Sequence, residues 1–392
     1  MRPKHLITLL FMLALTTTPS PAHAGGVVSV CDEAHLRTAL AGGGSVTFAC
    51  NGTITLAATI AIAANATIDG SGRSVTISGN HTVGVFYVNP GIALNLNVLT
   101  IANGNAGDGG GIYNDGGTVT VSDSTFSDNS AGSVGGAISN LGTVTVSDCM
   151  FTGNSADGGG GGLYNAYYTA LTVRNSTFSG NTTPGFGGAI SNSSFNAVTI
   201  SNSTFADNSA QGGGGAIWNG YNRVLVIINS TLSGNSSSLG GTIYNNGNSM
   251  TLKNTIVANS QGSGNCEGNA VTDGGGNLSF PDATCPGVVA NPVLGPLQNN
   301  GGHTLTMALG AGSAAIDTAI DAICAAAPVN NLDQRGVSRP QGAHCDIGAF
   351  EVVQGATATP TATQTPTVTP TPTATPTSSP AVHAIYLPMI VR

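Results

Sequence analysis

The sequence predicts an all-β chain, a right-handed parallel β-helix in which short strands of successive coils stack on one another. Three observations predict it. A pair of short motifs recurs with a period of about 26 residues, the mark of stacked units that cannot bury their apolar faces alone. Between the motifs β-branched and polar residues alternate, as in Thr118-Val119-Thr120-Val121 and Thr143-Val144-Thr145-Val146. Glycine is abundant, at 57 of 392 residues, while charged residues are only 7%, against about 25% in an ordinary globular domain. A surface of Ser, Thr, Asn and Gly over a stacked core fits that composition.

The elements follow in chain order. Residues 1–24 read as a signal peptide. Arg2 and Lys4 precede an apolar run over 6–15, and Ala22, His23 and Ala24 supply a small-x-small cleavage pattern. Residues 25–50 are expected to cap the solenoid, because an open sheet end must be covered. There Leu36, Ala39 and Leu40 share one side of a short helix that begins at Asp32 and Glu33.

Residues 51–265 are expected to form the coils. One motif ends in Asn114, Asn140, Asn165, Asn192, Asn219 and Asn245, each after an apolar residue and usually a Gly pair. The second runs Phe126-x-x-Asn129, Phe151-x-x-Asn154, Phe178-x-x-Asn181, Phe205-x-x-Asn208, Leu232-x-x-Asn235 and Ile256-x-x-Asn259. Three inward ladders are expected. They are Val121-Val146-Val173-Ile200-Ile227, Ile112-Ile138-Leu163-Ile190-Ile217-Ile243, and the Phe positions. The asparagines suit left-handed turns and can hydrogen-bond along the axis.

Residues 266–354 are read as C-terminal coils and a cap. Residues 355–380 are Thr and Pro with little else and predict a disordered, extended stalk. Residues 381–392 form an apolar tail too short to span a bilayer, read as an attachment signal or a docking strand. With the leader removed, no membrane span is expected.

Six of seven cysteines fall into near neighbours: Cys31 with Cys50, Cys266 with Cys285, Cys324 with Cys345. Local disulfides are the simplest reading of an exported chain, although spacing alone leaves connectivity open. Cys149 is left over, in register with Ser124, Ser176, Ser203 and Ser230.

The paired GG-x-I and F-x-x-N motifs resemble the repeats of polymorphic outer-membrane proteins, within the pectate-lyase-like β-helix superfamily. The segment Thr67-Ile68-Asp69-Gly70-Ser71-Gly72 is similar to an early coil of such helices. Downstream, Asn299-Asn300-Gly301-Gly302, Asp333-Gln334-Arg335-Gly336 and Cys345-Asp346-Ile347-Gly348-Ala349-Phe350-Glu351 resemble a choice-of-anchor Q domain, with His303 where that family often has Pro. The resemblance implies an exported, surface-held protein.

Candidate sites are few. Asp333, Arg335, Arg339, Asp346 and Glu351 are read as an Arg–carboxylate network tying the last coil to its cap. The competing reading is a catalytic cluster. Asp123 and Asp148, one coil apart, are a weak candidate for holding a cation or sharing a proton. Otherwise they are solvated Asp residues replacing Asn in a polar ladder. Tyr113, Tyr164, Trp218 and Tyr244 precede the motif asparagine and should face outward, on alternate coils about 10 Å apart. They form a candidate stripe for stacking on sugar rings.

No cofactor is implied. With 10 Lys plus Arg and a net charge of −8, nucleic acid is a poor partner. Polysaccharide or another cell surface is the expected partner. The reading is an exported, non-catalytic structural or adhesive protein, outside the cell or on its surface. The alternative is a polysaccharide lyase or glycoside hydrolase.

Overall fold

The computed structural model describes residues 25–353, apart from 167 and 221–223. The expected leader (1–24), stalk (355–380) and apolar tail (381–392) lie outside the described residues.

The chain is a right-handed parallel β-helix. One coil shows the plan: Ile112–Asn114, Thr118–Ser122, Thr125–Ser127 and Ser130–Ala131. Each strand pairs in parallel with its counterpart one coil on. Four sheets result. The first, built on strands like Thr118–Ser122, and the second, on strands like Thr125–Ser127, have eleven strands each among the described residues. The third, on pairs like Ser130–Ala131, has seven, and the fourth, on strands like Ile112–Asn114, has nine.

The corner between the first two sheets needs one residue with positive φ. It is Asp123 (+48°), Asp148 (+56°), Asn175 (+49°), Asn202 (+46°) and Asn229 (+45°) in successive coils. Asn and Asp tolerate that conformation, which explains their recurrence without any chemistry.

The interior follows the expected ladders. Val121, Val146, Val173, Ile200 and Ile227 are consecutive partners and fully buried. Phe126, Phe151, Phe178 and Phe205 stack with centroids 4.7, 4.5 and 4.9 Å apart and planes within 6°. Phe178→Ala opens a hole between two stacked rings. It should cost about 4 kcal/mol, read as a fall in the urea midpoint.

Two asparagine ladders close the corners. Each amide of Asn129, Asn154, Asn181 and Asn208 donates to the next asparagine oxygen at 2.9 Å. The series from Asn114 to Asn245 does the same at 2.8–3.1 Å.

The end of the Phe ladder corrects the motif alignment. Leu232 pairs with Val257, not Ile256. Ile256 therefore faces outward, into a second apolar cluster with Leu278, Leu309, Ala315 and Ile347. A one-residue shift moves a side chain to the other face of a strand.

At the start, helix α1 (Glu33–Leu40) buries Leu36 and Ala39, with Asp32 accepting from the His35 amide at 2.9 Å. All three local cysteine pairs are disulfides. Cys149 is free and buried beside Ser147. Burial pushes its thiol up to about 12, which disfavours the reactive thiolate.

The C-terminal region continues the coils, as expected, and then turns back along the solenoid. Parallel pairing continues past 265, through Cys266–Gly268 and Leu278–Phe280 to Val288–Val289. The described residues that follow run back along the flank, over the corner of the first and second sheets. A hairpin of Leu294–Gln298 and Thr306–Leu309 reaches furthest. Thr304 donates to the Asn175 carbonyl at 3.0 Å, and Gln334 bonds Thr177 and Thr204. The Asn202 amide reaches the Leu332 carbonyl, and the Ala349 amide donates to Thr231. The flank thus straps at least three coils together.

Candidate functional site

The outward position of the fourth sheet forms one column. In register along the axis lie Ala61, Tyr87, Tyr113, Ser139, Tyr164, Ser191, Trp218, Tyr244 and Glu267. The isoleucine ladder on the same strands is buried, while the aromatic members are half-buried. Tyr113, Tyr164, Trp218 and Tyr244 therefore lie on one outer face.

The column differs from a regular alternating stripe. Aromatic residues are consecutive at both ends. Tyr87 and Tyr113 stack at 5.3 Å and 29°. Tyr87 was missed because its strand, Phe86–Val88, carries Val88 where the motif has asparagine. The aromatic residue 26 positions before Tyr113 was the available signal. A second layer also partly covers the column. Val134, Gly159, Phe186 and Gly213 bridge one another in parallel. Phe186 packs on Trp218 at 5.4 Å, and Gly213 lies against Tyr244. Ser139 Oγ and Trp218 Nε1 are buried there with no hydrogen-bond partner among the described residues.

At the open end, the Tyr pair borders a groove of about 260 Å³. Its lining includes Thr59, Gly84, Tyr87, Ala106, Asp108 and Tyr113. Gly84 makes room, since a Cβ there would stand 3.1 Å from that of Ala106. The Tyr87 hydroxyl donates to Asp115, which raises its pKa, and burial raises that of Tyr113. Asp108 accepts from the Val134 amide at 3.1 Å through one oxygen. Aromatic faces beside hydroxyls and carboxylates make a surface that can stack on a sugar ring and bond its substituents.

Asp123 and Asp148 sit at the flanked corner instead. Asp123 contacts the His303 imidazole, which the hairpin tip delivers. The Asn175 amide donates to Asp148 at 3.2 Å. Burial, then the neighbouring Asp123, raises the pKa of Asp148 above its ordinary value. Arg73 and Asp123 line a separate groove of about 190 Å³. No group of three or more His, Cys, Asp or Glu fit to hold a metal occurs among the described residues.

The raised pKa of Asp148 has a measurable consequence. A carboxyl raised in the folded state favours folding below its unfolded value of 3.8 and loses that contribution as pH rises through the folded value. At neutral pH the charge is a cost, and the same corner holds asparagine in later coils. Asp148→Asn should therefore stabilise the fold at pH 7 by roughly a few tenths of a kcal/mol, read as a higher urea midpoint. The gain should vanish below pH 3.8.

The five charged residues near the C-terminus gather in one knot within the flank. Arg335 pairs with Asp333 at 2.7 Å, and its guanidinium lies 3.6 Å from the Phe350 ring centroid. Arg339 is fully buried, 3.5 Å from Glu351, and donates to the carbonyls of Asp346 at 2.6 Å and Gly348 at 2.8 Å. Asp346 and Glu351 also accept backbone amides. The knot is enclosed and braces the flank, whose Ile347 packs with Leu278 of a late coil.

One comparison with known families agrees on the architecture. Residues 60–230 match the family model described as "Right handed beta helix region". A solved structure, that of pectate lyase Pel9A, is 14% identical, with a TM-score of 0.40, covering 79% of this chain and 88% of that one. No curated protein matches the chain.

Proposed function

We propose that this is an exported, non-catalytic β-helix protein that binds glycan along the outer face of its fourth sheet. The observation that carries the reading is the Tyr87–Tyr113 pair bordering an open groove, at the head of a column of half-buried aromatic residues. The three disulfides fit an oxidising compartment. The resemblance to surface-protein repeats and to a choice-of-anchor Q region supports a place on the cell surface, with the Thr/Pro-rich segment as spacer.

Tyr113→Ala removes one wall of the groove without touching the core ladder. Retention of the secreted protein on insoluble polysaccharides should fall about tenfold, since one stacking contact is worth roughly 0.5–1.5 kcal/mol beyond the area it buries. Failure of the wild-type protein to bind any glycan sinks the proposal.

A second reading is polysaccharide cleavage. It rests on the contact between Asp123 and His303 beside Asp148, close to a groove lined by Arg73. A carboxylate, an imidazole and a second carboxyl are the groups acid–base catalysis uses. Release of reducing ends or unsaturated products, abolished by His303→Ala, supports that reading.

A further inference from the structure

We infer that the Tyr87–Tyr113 groove selects an ammonium-bearing amino sugar over neutral and acidic sugars. The inference rests on the glycan-binding reading above and names the chemical class that the groove takes.

The charge around the groove is one-sided. Asp108 lines it, and Asp115 sits at its edge holding the Tyr87 hydroxyl. No Lys, Arg or His is among the lining residues. Asp108 commits one oxygen to the Val134 amide, and no contact engages the other among the described residues. A ligand ammonium can therefore meet a carboxylate oxygen on one side and tyrosine faces on the other. The faces of Tyr rings attract cations, and an adjacent carboxylate adds a charge-assisted bond.

A uronate carboxylate would instead meet two like charges, which is how a site rejects a competitor. The whole chain, at −8, would repel an acidic polymer in the same sense. The volume of about 260 Å³ falls below the roughly 300–1,000 Å³ typical of drug-sized ligands. It suits one sugar ring, with the rest of a chain running outside.

The test compares three soluble oligomers on the mature secreted protein by titration calorimetry. They are glucosamine oligomers, N-acetylglucosamine oligomers of the same length, and galacturonate oligomers. The expected result is about tenfold tighter binding of the glucosamine oligomer than of its acetylated counterpart, with no binding of the galacturonate oligomer. Asp108→Asn keeps the acceptor for the Val134 amide and should erase the preference for the glucosamine oligomer. Raising salt should weaken only the cationic ligand.

Equal or tighter binding of the acetylated oligomer by the wild-type protein overturns this inference, while the glycan-binding reading stands. So does a preference that survives in Asp108→Asn. Absence of binding to every oligomer, and to insoluble polysaccharides, overturns both.

Discussion

Asn181→Leu should destabilise the protein by about 4 kcal/mol, although leucine matches asparagine in size. The Asn181 oxygen accepts from the amide of Asn154 at 3.1 Å and from its side chain at 2.9 Å. Its own amide donates to the Phe151 carbonyl and to Asn208, each at 2.9 Å. All of these groups are buried. Leucine leaves donors and acceptors on two neighbouring coils unpaired, each costing about 1–3 kcal/mol. The loss falls in mid-solenoid, where the coils couple through their neighbours. Urea unfolding followed by far-UV circular dichroism should show a lower midpoint. A second transition appears if the coils on either side of residue 181 uncouple. Asn181→Asp, which keeps the acceptor and loses the donor, should fall between leucine and the wild type at pH 4 and worsen as the carboxylate ionises.

Arg339→Ala should cost a comparable 3–5 kcal/mol, confined to the flank. Removing one member of a buried charge cluster strands the others without compensation. Here Glu351 and Asp346 would remain enclosed, and the Asp346 and Gly348 carbonyls would lose their donors. Burial already raises both carboxyl pKa values above the ordinary 3.8 and 4.5. The stranded carboxylates are neutralised as pH falls through those raised values, so the penalty should be largest at neutral pH and shrink in acid. Limited proteolysis is the readout. The flank should become cleavable within residues 291–352 while the strand signal of the solenoid survives. Coincident loss of both would show that the strap is part of the fold's single cooperative unit.

The solenoid was legible because its signal is periodic. Val121, Phe151 and Asn181 recur at fixed spacing, and each points to the neighbour one coil away. The disulfides were legible for a related reason, as each closes a local loop of 19 to 21 residues. The flank was not. Thr304 meets Asn175 across 129 residues, and Gln334 meets Thr177 across 157. Such contacts leave no period in the sequence. The same cause hid the meeting of His303 with Asp123. Ile256 was misplaced because its neighbour Val257 is equally apolar and β-branched, so pattern alone could not choose which one faces in. Tyr87 was hidden by an early coil that lacks the double glycine and the asparagine. Its partner Tyr113 was found only because its coil obeys the motif.

Mobility through native gels cast with a retained polysaccharide tests the central claim most directly, with Tyr113→Ala and Asp123→Asn run beside the wild-type protein. Glycan binding on the fourth sheet predicts that the wild type and Asp123→Asn are both retarded, while Tyr113→Ala migrates as in a gel without polysaccharide. Retardation kept by Tyr113→Ala and lost by Asp123→Asn would contradict the account and move the function to the corner beneath His303.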